Sequence, residues 1–167
     1  MLKLRPIQPE DRALLLRIYS ATRADELAIF QLDAAWQAAF LNQQFEAQQQ
    51  FYEQNYPGAR LDLILDEDLP VGRLYVARWN QEIRIMDIAL LPEYRNRGIG
   101  GTLIGNLLDE AGAAGKMLSI HVERYNPALR LYQRLGFSVA EDKGVYLLME
   151  ARPQRTASAF DLLPSPT

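Results

Sequence analysis

The clearest pattern in the chain is a nearly continuous apolar run over residues 82–91, followed by a polar loop and then by apolar positions at helical spacing. A run of this kind, rich in β-branched residues, is typical of a strand buried on both faces. Pro92 cannot donate to a sheet ladder, so we expect the strand to end there. Beyond Gly101, apolar residues recur every three or four positions, which indicates a helix ending near Gly115.

The first third of the chain has the pattern of one short strand and two helices. Residues 2–7 alternate between apolar and basic positions, as in a strand. Helical spacing then predicts a first helix that begins near Glu10 and ends in the polar stretch 22–27, and a second helix over about residues 33–55 with Asp33 as its N-cap. We expect a broad apolar face on the second helix, made of Trp36, Phe40, Leu41, Phe45, Phe51 and Tyr52.

Five glutamines of the second helix have two interpretations: a solvated face, or, for one or two of them, the lining of a substrate groove. They are Gln43, Gln44, Gln48, Gln49 and Gln50.

Short strand patterns separated by turn residues fill most of the remaining chain. Segments 61–65 and 71–79 precede the central strand and predict an antiparallel meander with it. Residues 117–122 form a further strand after the helix, and a strand–helix–strand crossover implies right-handed parallel pairing. Asn126 is expected to cap a short helix, and a hairpin around Lys143 and Gly144 closes the pattern. We therefore predict an α/β fold with a mixed, mostly antiparallel sheet, a central parallel strand pair and about four flanking helices.

Length and composition favour one globular domain. A chain of 167 residues with 49% hydrophobic and 23% charged residues is large enough for a real core. We expect a single domain over residues 1–152 and a flexible tail over 153–167, where Pro, Ser and Thr occur without periodicity.

Charge and residue usage exclude several function classes. A net charge of −3 argues against nonspecific binding to nucleic acid and against attraction to anionic membranes. With no cysteine and one histidine, a Cys- or His-built metal site is not expected. The N-terminus lacks the apolar region of a signal peptide and no apolar run approaches transmembrane length, so we expect a cytoplasmic location.

The loop after the central strand has the chemistry of a phosphate site. Gly98, Gly100 and Gly101 allow a ligand to approach the backbone closely at the start of a helix. The unpaired N–H groups of a first helical turn and the positive end of the helix dipole attract an anion. Arg95 and Arg97 add charge-assisted donors beside it. These residues predict a pyrophosphate site at the strand–loop–helix junction.

Two motifs carry a resemblance to a known family. Residues 95–100, Arg-Asn-Arg-Gly-Ile-Gly, resemble the acetyl-CoA signature of the GNAT superfamily of N-acetyltransferases. Residues 126–132, Asn-Pro-Ala-Leu-Arg-Leu-Tyr, and 135–137, Leu-Gly-Phe, resemble the second motif of that family. The matched segments lie within residues 82–150. The first half of the chain matches the family only in the order of its helices and strands.

The resemblance implies acetyl-CoA as the cofactor and a GNAT-like fold in which the two central strands splay apart at the cofactor. Pantetheine would then bind the backbone of the central strand, at Ile88, Ala89 and Leu90. The pyrophosphate would lie on Asn96, Arg97, Gly98, Ile99, Gly100 and Gly101, with Thr102 and Arg95 nearby. Asn126 is a further candidate for cofactor contact, although many relatives place this Asn one position earlier, where the chain has Tyr125.

Candidate catalytic groups follow from the same resemblance. The tyrosine before x-x-x-Gly-Phe in this family typically protonates the leaving thiolate, which assigns that role to Tyr132, whereas helical spacing alone makes it a core tyrosine. A base for the amine is sought among His121, Asp87 and Glu123, each with an equally good structural explanation. Arg23 and Glu26, expected in the connection between the first two helices, are candidates for acceptor binding.

The resulting prediction is an N-acetyltransferase that acts on a small-molecule amine or an exposed protein amine. A non-catalytic acyl-CoA-binding sensor or scaffold on the same fold stays open. A nicotinamide or flavin dinucleotide module is disfavoured, because Leu103 holds the third glycine position and the loop is longer than that turn allows. Oligomeric state is open, with a homodimer common among proteins of this type.

Overall fold

The structure is a computed structural model in which residues 1–153 are described, so the expected tail lies outside the described residues except for Pro153. The helices and strands follow the order predicted from the sequence. They are β1 (Leu2–Pro6), α1 (Arg12–Ala28), α2 (Ala34–Asn55), β2 (Arg60–Asp66), β3 (Leu69–Arg78), β4 (Glu82–Leu90), α3 (Ile99–Ala114), β5 (Met117–Glu123), α4 (Leu129–Arg134), β6 (Ser138–Asp142) and β7 (Tyr146–Ala151).

The described strands form a seven-stranded sheet in the order β1-β2-β3-β4-β5-β7-β6. The sheet is mostly antiparallel, and β4 and β5 are its parallel pair. The predicted α/β fold class is thereby confirmed. The splay of β4 from β5 stays a prediction.

The chain divides into two compact units, the first made of residues 1–77 and 85–100. In this unit α1 packs against α2, and a buried cluster includes Leu15, Ile18, Phe45 and Leu63. Leu15 and Ile18 lie at the helical spacing that predicted α1. The core of this unit is therefore what the apolar pattern required.

The expected end of α1 within residues 22–27 is wrong. The helix continues to Ala28 and contains Arg23 and Glu26, which were expected in a connection. The stretch holds neither Gly nor Pro, and its polar groups bond within the helix. The Thr22 hydroxyl donates to the Tyr19 carbonyl at 2.6 Å, and Arg23 pairs with Glu26 at 3.3 Å. Polarity alone did not end the helix.

Helix α2 begins as predicted, but its apolar face is narrower. Asp33 caps it by accepting a hydrogen bond from the backbone N–H of Trp36. Among the six expected residues, Phe45 and Tyr52 are buried and Leu41 packs half-buried against the core, while Trp36 and Phe51 are about half exposed. Phe45 and Tyr52 are seven positions apart, which is two helical turns, so a single narrow stripe faces the core.

Among the described residues, the second unit consists of residues 78–84 together with residues 101–153. In it β5 pairs antiparallel with β7, and β7 pairs with β6. The hairpin around Lys143 and Gly144 is confirmed. Within the described residues, no helix combines the length and the apolar character needed to cross a membrane.

The predicted capping role of Asn126 is wrong. Helix α4 begins at Leu129, with Ala128 as the residue before its first turn. The Asn126 side-chain oxygen accepts a hydrogen bond from the Ala128 N–H at 2.8 Å, which stabilises a turn that precedes the helix. Gly136, after the end of α4, has φ +99°, as expected for a helix-ending glycine.

Candidate functional site

The loop between β4 and α3 has the backbone shape of an anion-binding turn. Asn96 and Gly98 both have positive φ, +60° and +82°, and α3 begins at the next residue, Ile99. Left-handed residues in a turn direct backbone N–H groups toward one side and create a concavity that suits anions. A side chain built at Gly98 would meet no atom within 4 Å, so the space above the loop is open. These residues fit a pyrophosphate.

The two arginines of this loop make different contacts. Arg95 holds the loop to its own unit, because its Nε donates to the Leu90 carbonyl at 3.1 Å. Arg97 lies with its guanidinium 5.4 Å from the centre of the Tyr94 ring and is exposed. Arg97 is therefore the better placed of the two to meet an anion from solvent.

The end of β4 carries the backbone that was expected to bind pantetheine. Ile88 and Leu90 are half-buried, and Ala89 is buried. The Ala89 carbonyl lies where a side chain at Gly72 would have to go, 2.2 Å from an ideal Cβ. Only glycine permits this close approach of β3 to β4, so Gly72 is a site-shaping residue that the sequence analysis missed.

The remaining predicted cofactor contacts lie in the second unit. Gly101 is half-buried, Thr102 is exposed, and both belong to the first turns of α3. Asn126 already uses its side-chain oxygen in the turn before α4. A cofactor contact through that oxygen would compete with the turn, so Asn126 is a weaker candidate than the glycine loop.

Tyr132 is buried in α4, with 5% of its surface exposed. Its ring packs edge-on against Phe137, with ring centres 5.9 Å apart. This is the core position that helical spacing predicted. The catalytic role that the resemblance implies stays a prediction.

His121 lies on β5, opposite Leu148 of β7, and is half-buried. Its Nε2 is 3.1 Å from Nζ of Lys143. Because an ammonium group only donates, Nε2 must accept and the neutral ring carries its proton on Nδ1. Burial lowers the pKa of His121, and the nearby cations Arg84 and Lys143 lower it further. The imidazole is therefore held in the neutral form, in which it can accept a proton.

Ser119, two residues before His121 on β5, belongs to a polar network. Ser119 is fully buried and bonds through its hydroxyl to Glu82, while Nε of Arg84 donates to the same hydroxyl at 3.1 Å. Arg84 also pairs with Glu82 at 3.1 Å. The carboxylates of Glu82 and Glu141 raise the pKa of His121, but less than burial and the two cations lower it.

Asp87 lies in the first unit and is tied into a buried ion pair. Nη2 of Arg73 donates to Oδ2 of Asp87 at 2.5 Å, and the Tyr52 hydroxyl donates to the same oxygen at 3.2 Å. Arg73 is 1% exposed, and its Nη2 also donates to Gln48 at 2.8 Å. The sequence analysis singled out Asp87 but missed Arg73, whose signal was a lone charge within an apolar strand.

Burial dominates the electrostatics around this pair. Desolvation raises the pKa of the Tyr52 phenol far above its usual range, and the Asp87 carboxylate raises it further. Desolvation also raises the pKa of Tyr75, against the opposing effect of the Arg73 cation. Both phenols therefore stay protonated at any pH at which the protein would be used.

Arg23 and Glu26 lie together on α1. The Arg23 guanidinium is 5.6 Å from the centre of the Tyr19 ring, in addition to its pairing with Glu26. These contacts give both residues a structural role within α1. Acceptor binding by either one stays a prediction.

Comparison with known proteins agrees with the family resemblance that the loop motif indicated. Residues 23–137 match the Acetyltransferase (GNAT) family. A mycothiol acetyltransferase of Corynebacterium aurimucosum is 36% identical over 84 residues, which are 48% of this chain and 24% of that protein. A streptothricin acetyltransferase of Streptomyces lavendulae is 39% identical over 62 residues, 36% of this chain and 33% of that protein. The chain thus covers about a quarter to a third of the length of these curated relatives.

A solved structure supports the fold. The PaiA N-acetyltransferase of Thermoplasma acidophilum, in complex with coenzyme A, matches with a TM-score of 0.68 and 17% identity over 91% of this chain and 99% of that chain. At this identity the likeness shows the fold. Because the family match covers more than half of the chain, the protein is a member of the GNAT acetyltransferase family, and its expected cofactor, acetyl-CoA, is confirmed as the acetyl donor of that family.

Proposed function

We propose that the protein transfers an acetyl group from acetyl-CoA to a primary amine of a small molecule or of an exposed protein segment. One observation carries this proposal: the turn with positive φ at Asn96 and Gly98 leads directly into α3, within the segment that matches the family. The backbone from Asn96 to Gly101 would hold the pyrophosphate, with Thr102 and Arg97 beside it. Residues 88–90 of β4 would hold the pantetheine arm through backbone hydrogen bonds.

Acetyl-CoA, when bound, supplies a thioester carbonyl that an amine can attack. For the reaction to balance, two protons must move: one from the reactants to the protein or solvent, and one from the protein or solvent to the reactants. A proton leaves the attacking nitrogen as the C–N bond forms, and a proton reaches sulfur as the C–S bond breaks. We assign the second transfer to Tyr132, because a phenol and a thiol have similar acidity.

His121 is the better of the candidate bases. Burial and its two cationic neighbours favour the neutral imidazole, which is the form that accepts a proton. Asp87, by contrast, already accepts hydrogen bonds from Arg73 and Tyr52. Proton transfer to Asp87 would weaken its buried ion pair with Arg73. We therefore rank Asp87 below His121 as a candidate base and assign it the role of positioning Arg73.

The test is calorimetric titration of the protein with acetyl-CoA, with NADH as the control ligand. Wild type should bind acetyl-CoA alone. Gly100→Glu should lose this binding, because it adds bulk and negative charge at the start of α3. Gly105→Glu is the matched control, since it makes the same change in the same helix at a position where a side chain meets no atom within 4 Å.

Activity is measured as thiol release from acetyl-CoA over a panel of amines. The chain contains no cysteine, so a thiol reagent reports coenzyme A without background from the protein. Absence of acetyl-CoA binding to wild type would overturn the proposal. Tight binding without transfer to any amine would favour the sensor or scaffold interpretation instead. The cytoplasmic location and the homodimer stay predictions.

A further inference from the structure

Helix α2 carries a second apolar stripe, on the side that faces away from the core of its unit. This outer stripe consists of Trp36, Phe40, Ala47 and Phe51. Successive spacings of four, seven and four residues place its members on one face of the helix. The buried Phe45 lies nine positions after Trp36, which is two and a half turns, and is therefore on the opposite side. The outer stripe is thus separate from the face by which α2 packs onto the core.

The outer stripe is open to solvent, and aromatic contacts fix its two ends. Trp36 is about half exposed, and its ring stacks on that of Phe40 with ring centres 5.1 Å apart. Phe51 is also about half exposed and packs edge-on against Tyr56, with ring centres 6.3 Å apart. Ala47, between these aromatic ends, is exposed. Contiguous apolar surface of this kind on a folded chain marks a site of contact with another molecule.

The surface around the outer stripe is uncharged. Exposed glutamines occupy the positions beside its apolar residues: Gln43, Gln44, Gln50 and Gln54. The charged residues of α2 are Glu46 and Glu53, which lie on the flank of the helix, and Nε of Arg12 in α1 donates to Glu46 at 3.0 Å. Residues 36–54 thus form a face about 27 Å long without a charge. Aromatic enrichment together with depletion of charge is the composition of the centre of a protein interface.

The outer stripe is symmetric about the boundary between residues 43 and 44. Trp36 and Phe51 lie on either side of this boundary, each about two helical turns away. Phe40 and Ala47 each lie about one turn away. An antiparallel second copy with a two-fold axis at the boundary would place Trp36 against Phe51 of the partner subunit. The same axis would place Phe40 against the partner's Ala47, so that a large side chain meets a small one.

The connection before α2 extends this surface with further exposed apolar residues. Ile29 and Leu32 are exposed, and Phe30 is 65% exposed. A fully buried aromatic side chain removes about 150–250 Å² from solvent, so the exposed parts of Phe30, Trp36 and Phe51 represent about 300 Å² per copy. A dimer of standard size buries about 800 Å² per partner. These three side chains therefore supply about a third of the area that a stable dimer needs, and the glutamines and aliphatic side chains beside them can supply the rest.

We propose that the chain forms a homodimer in which the α2 helices of two copies pack antiparallel through their outer stripes, about a two-fold axis at residues 43 and 44. Both copies use the same surface, so the assembly closes at two chains. Antiparallel packing also brings the N-terminal end of each α2 beside the C-terminal end of the other, which suits the helix dipoles. Gln43, Gln44 and Gln50 then line an interface. This inference concerns assembly and does not depend on acetyl transfer.

The deciding variant is Ala47→Glu, which places a charge within the interface at a position that is exposed in the single chain. Ala38→Glu is the matched control, because it makes the same change at an exposed position two and a half turns away, on the other side of the same helix. Sedimentation velocity of the full chain measures assembly, and circular dichroism checks that both variants keep the helix content of wild type.

Wild type should sediment as two chains at about 100 µM protein, because interfaces of standard size have a Kd in the micromolar range or below. Ala47→Glu should raise the Kd of the dimer by about a hundredfold or more, since an unpaired charge is costly to bury. Ala38→Glu should leave the Kd unchanged.

Crosslinking tests the antiparallel orientation. The chain contains no cysteine, so a single introduced cysteine reports on one position. Gln43→Cys lies next to the proposed axis, and a bismaleimide that spans about 10 Å should join its two copies, because the axes of packed helices are about 8–10 Å apart. Gln54→Cys lies at one end of the same face, and its two copies would be about 30 Å apart in the antiparallel pair, which is beyond the linker.

The outcomes separate the proposed interface from its alternatives. A wild-type dimer that is lost in Ala47→Glu, kept in Ala38→Glu and crosslinked through Gln43→Cys supports the inference. A wild type that stays monomeric at about 100 µM overturns it and leaves the outer stripe to a different protein. A dimer that is indifferent to Ala47→Glu also overturns it, by placing the interface elsewhere. Crosslinking through Gln54→Cys in place of Gln43→Cys overturns the antiparallel pairing. Acetyl-CoA binding is measured separately, so its failure would leave this inference intact.

Discussion

At the scale of single residues, the environment of His121 determines its protonation. Burial is the largest influence, followed by the cations Arg84 and Lys143, and all three lower the pKa of the imidazole. Glu141 and Glu82 act in the opposite direction but more weakly. A histidine in this position accepts a proton only transiently near neutral pH, which suits a base and not a permanent cation.

We predict that the pKa of His121 lies below 6.5 in the folded protein and that Lys143→Met raises it. The variant removes one of the two cations, so the rise should be partial. Nitrogen-15 NMR of the imidazole measures both values directly, because the chain contains one histidine. A pKa above 6.5 in wild type, or no change in the variant, would contradict this explanation.

The lowered pKa of His121 makes the stability of the folded protein depend on pH. Because the folded-state pKa is lowered, the unfolded chain binds the proton more readily as pH falls. The contribution of His121 to stability is therefore fully present above about pH 6.5. It decreases as the pH falls from there through the folded-state value.

For Tyr132, we predict that replacement by Phe lowers kcat by about 10²-fold, within the usual range for loss of a general acid. The KM for acetyl-CoA should change little, because the ring and its edge-on contact with Phe137 are retained. Steady-state kinetics on the best amine acceptor measure both quantities. Tyr125→Phe, at an exposed position, is the control, and an unchanged kcat in Tyr132→Phe would remove this residue as the acid.

At the scale of elements, one ion pair joins α2, β3 and β4 of the first unit. Arg73 of β3 donates to Asp87 of β4 and to Gln48 of α2, and Tyr52 of α2 reaches the same carboxylate. Apolar spacing predicted each of these elements separately. The hydrogen bonds among them required the register and helix packing that only the folded chain provides.

We predict that Asp87→Asn destabilises the protein by about 3 kcal/mol, because it leaves the buried Arg73 cation without a counter-charge. Urea denaturation followed by circular dichroism measures the loss. Glu93→Gln is the matched control: it breaks an arginine–carboxylate pair with Arg17 in which both side chains are more than half exposed. The control should cost at most about 1 kcal/mol, and similar losses in the two variants would disprove the argument from burial.

At the scale of the whole molecule, a bound cofactor should stabilise the folded chain by mass action. At a free acetyl-CoA concentration of about 100 times its Kd, the gain is about 2.7 kcal/mol. For a chain of this size, that gain corresponds to a rise in Tm of about 5–10 °C. Differential scanning fluorimetry measures the shift.

The controls for this prediction are NADH and the loop variant. NADH should leave the Tm of wild type unchanged, and acetyl-CoA should leave the Tm of Gly100→Glu unchanged. A comparable rise with NADH would favour the dinucleotide alternative that the position of Leu103 argued against. A rise with acetyl-CoA in Gly100→Glu would mean that the cofactor does not depend on the glycine loop.

The sequence alone determined the order of the elements and the loop that defines the family. Both are local properties: the 82–91 strand follows from its apolar run, and the turn with positive φ at Gly98 follows from residue types that tolerate it. The end of α1 and the capping role of Asn126 were predicted wrongly because neither is a purely local property. Polar side chains can end a helix or bond within it, and the choice depends on their neighbours.

The tertiary structure decided which polar residues meet. Asp87 stood out in the sequence as a charge within an apolar strand, but its partner Arg73 lies 14 residues earlier on β3, and Gln48 and Tyr52 lie on α2. Hydrophobic spacing places side chains on a face without specifying which atoms of neighbouring elements come within hydrogen-bond distance. That pairing is set by strand register and helix packing, and it produced the buried ion pair between Arg73 and Asp87.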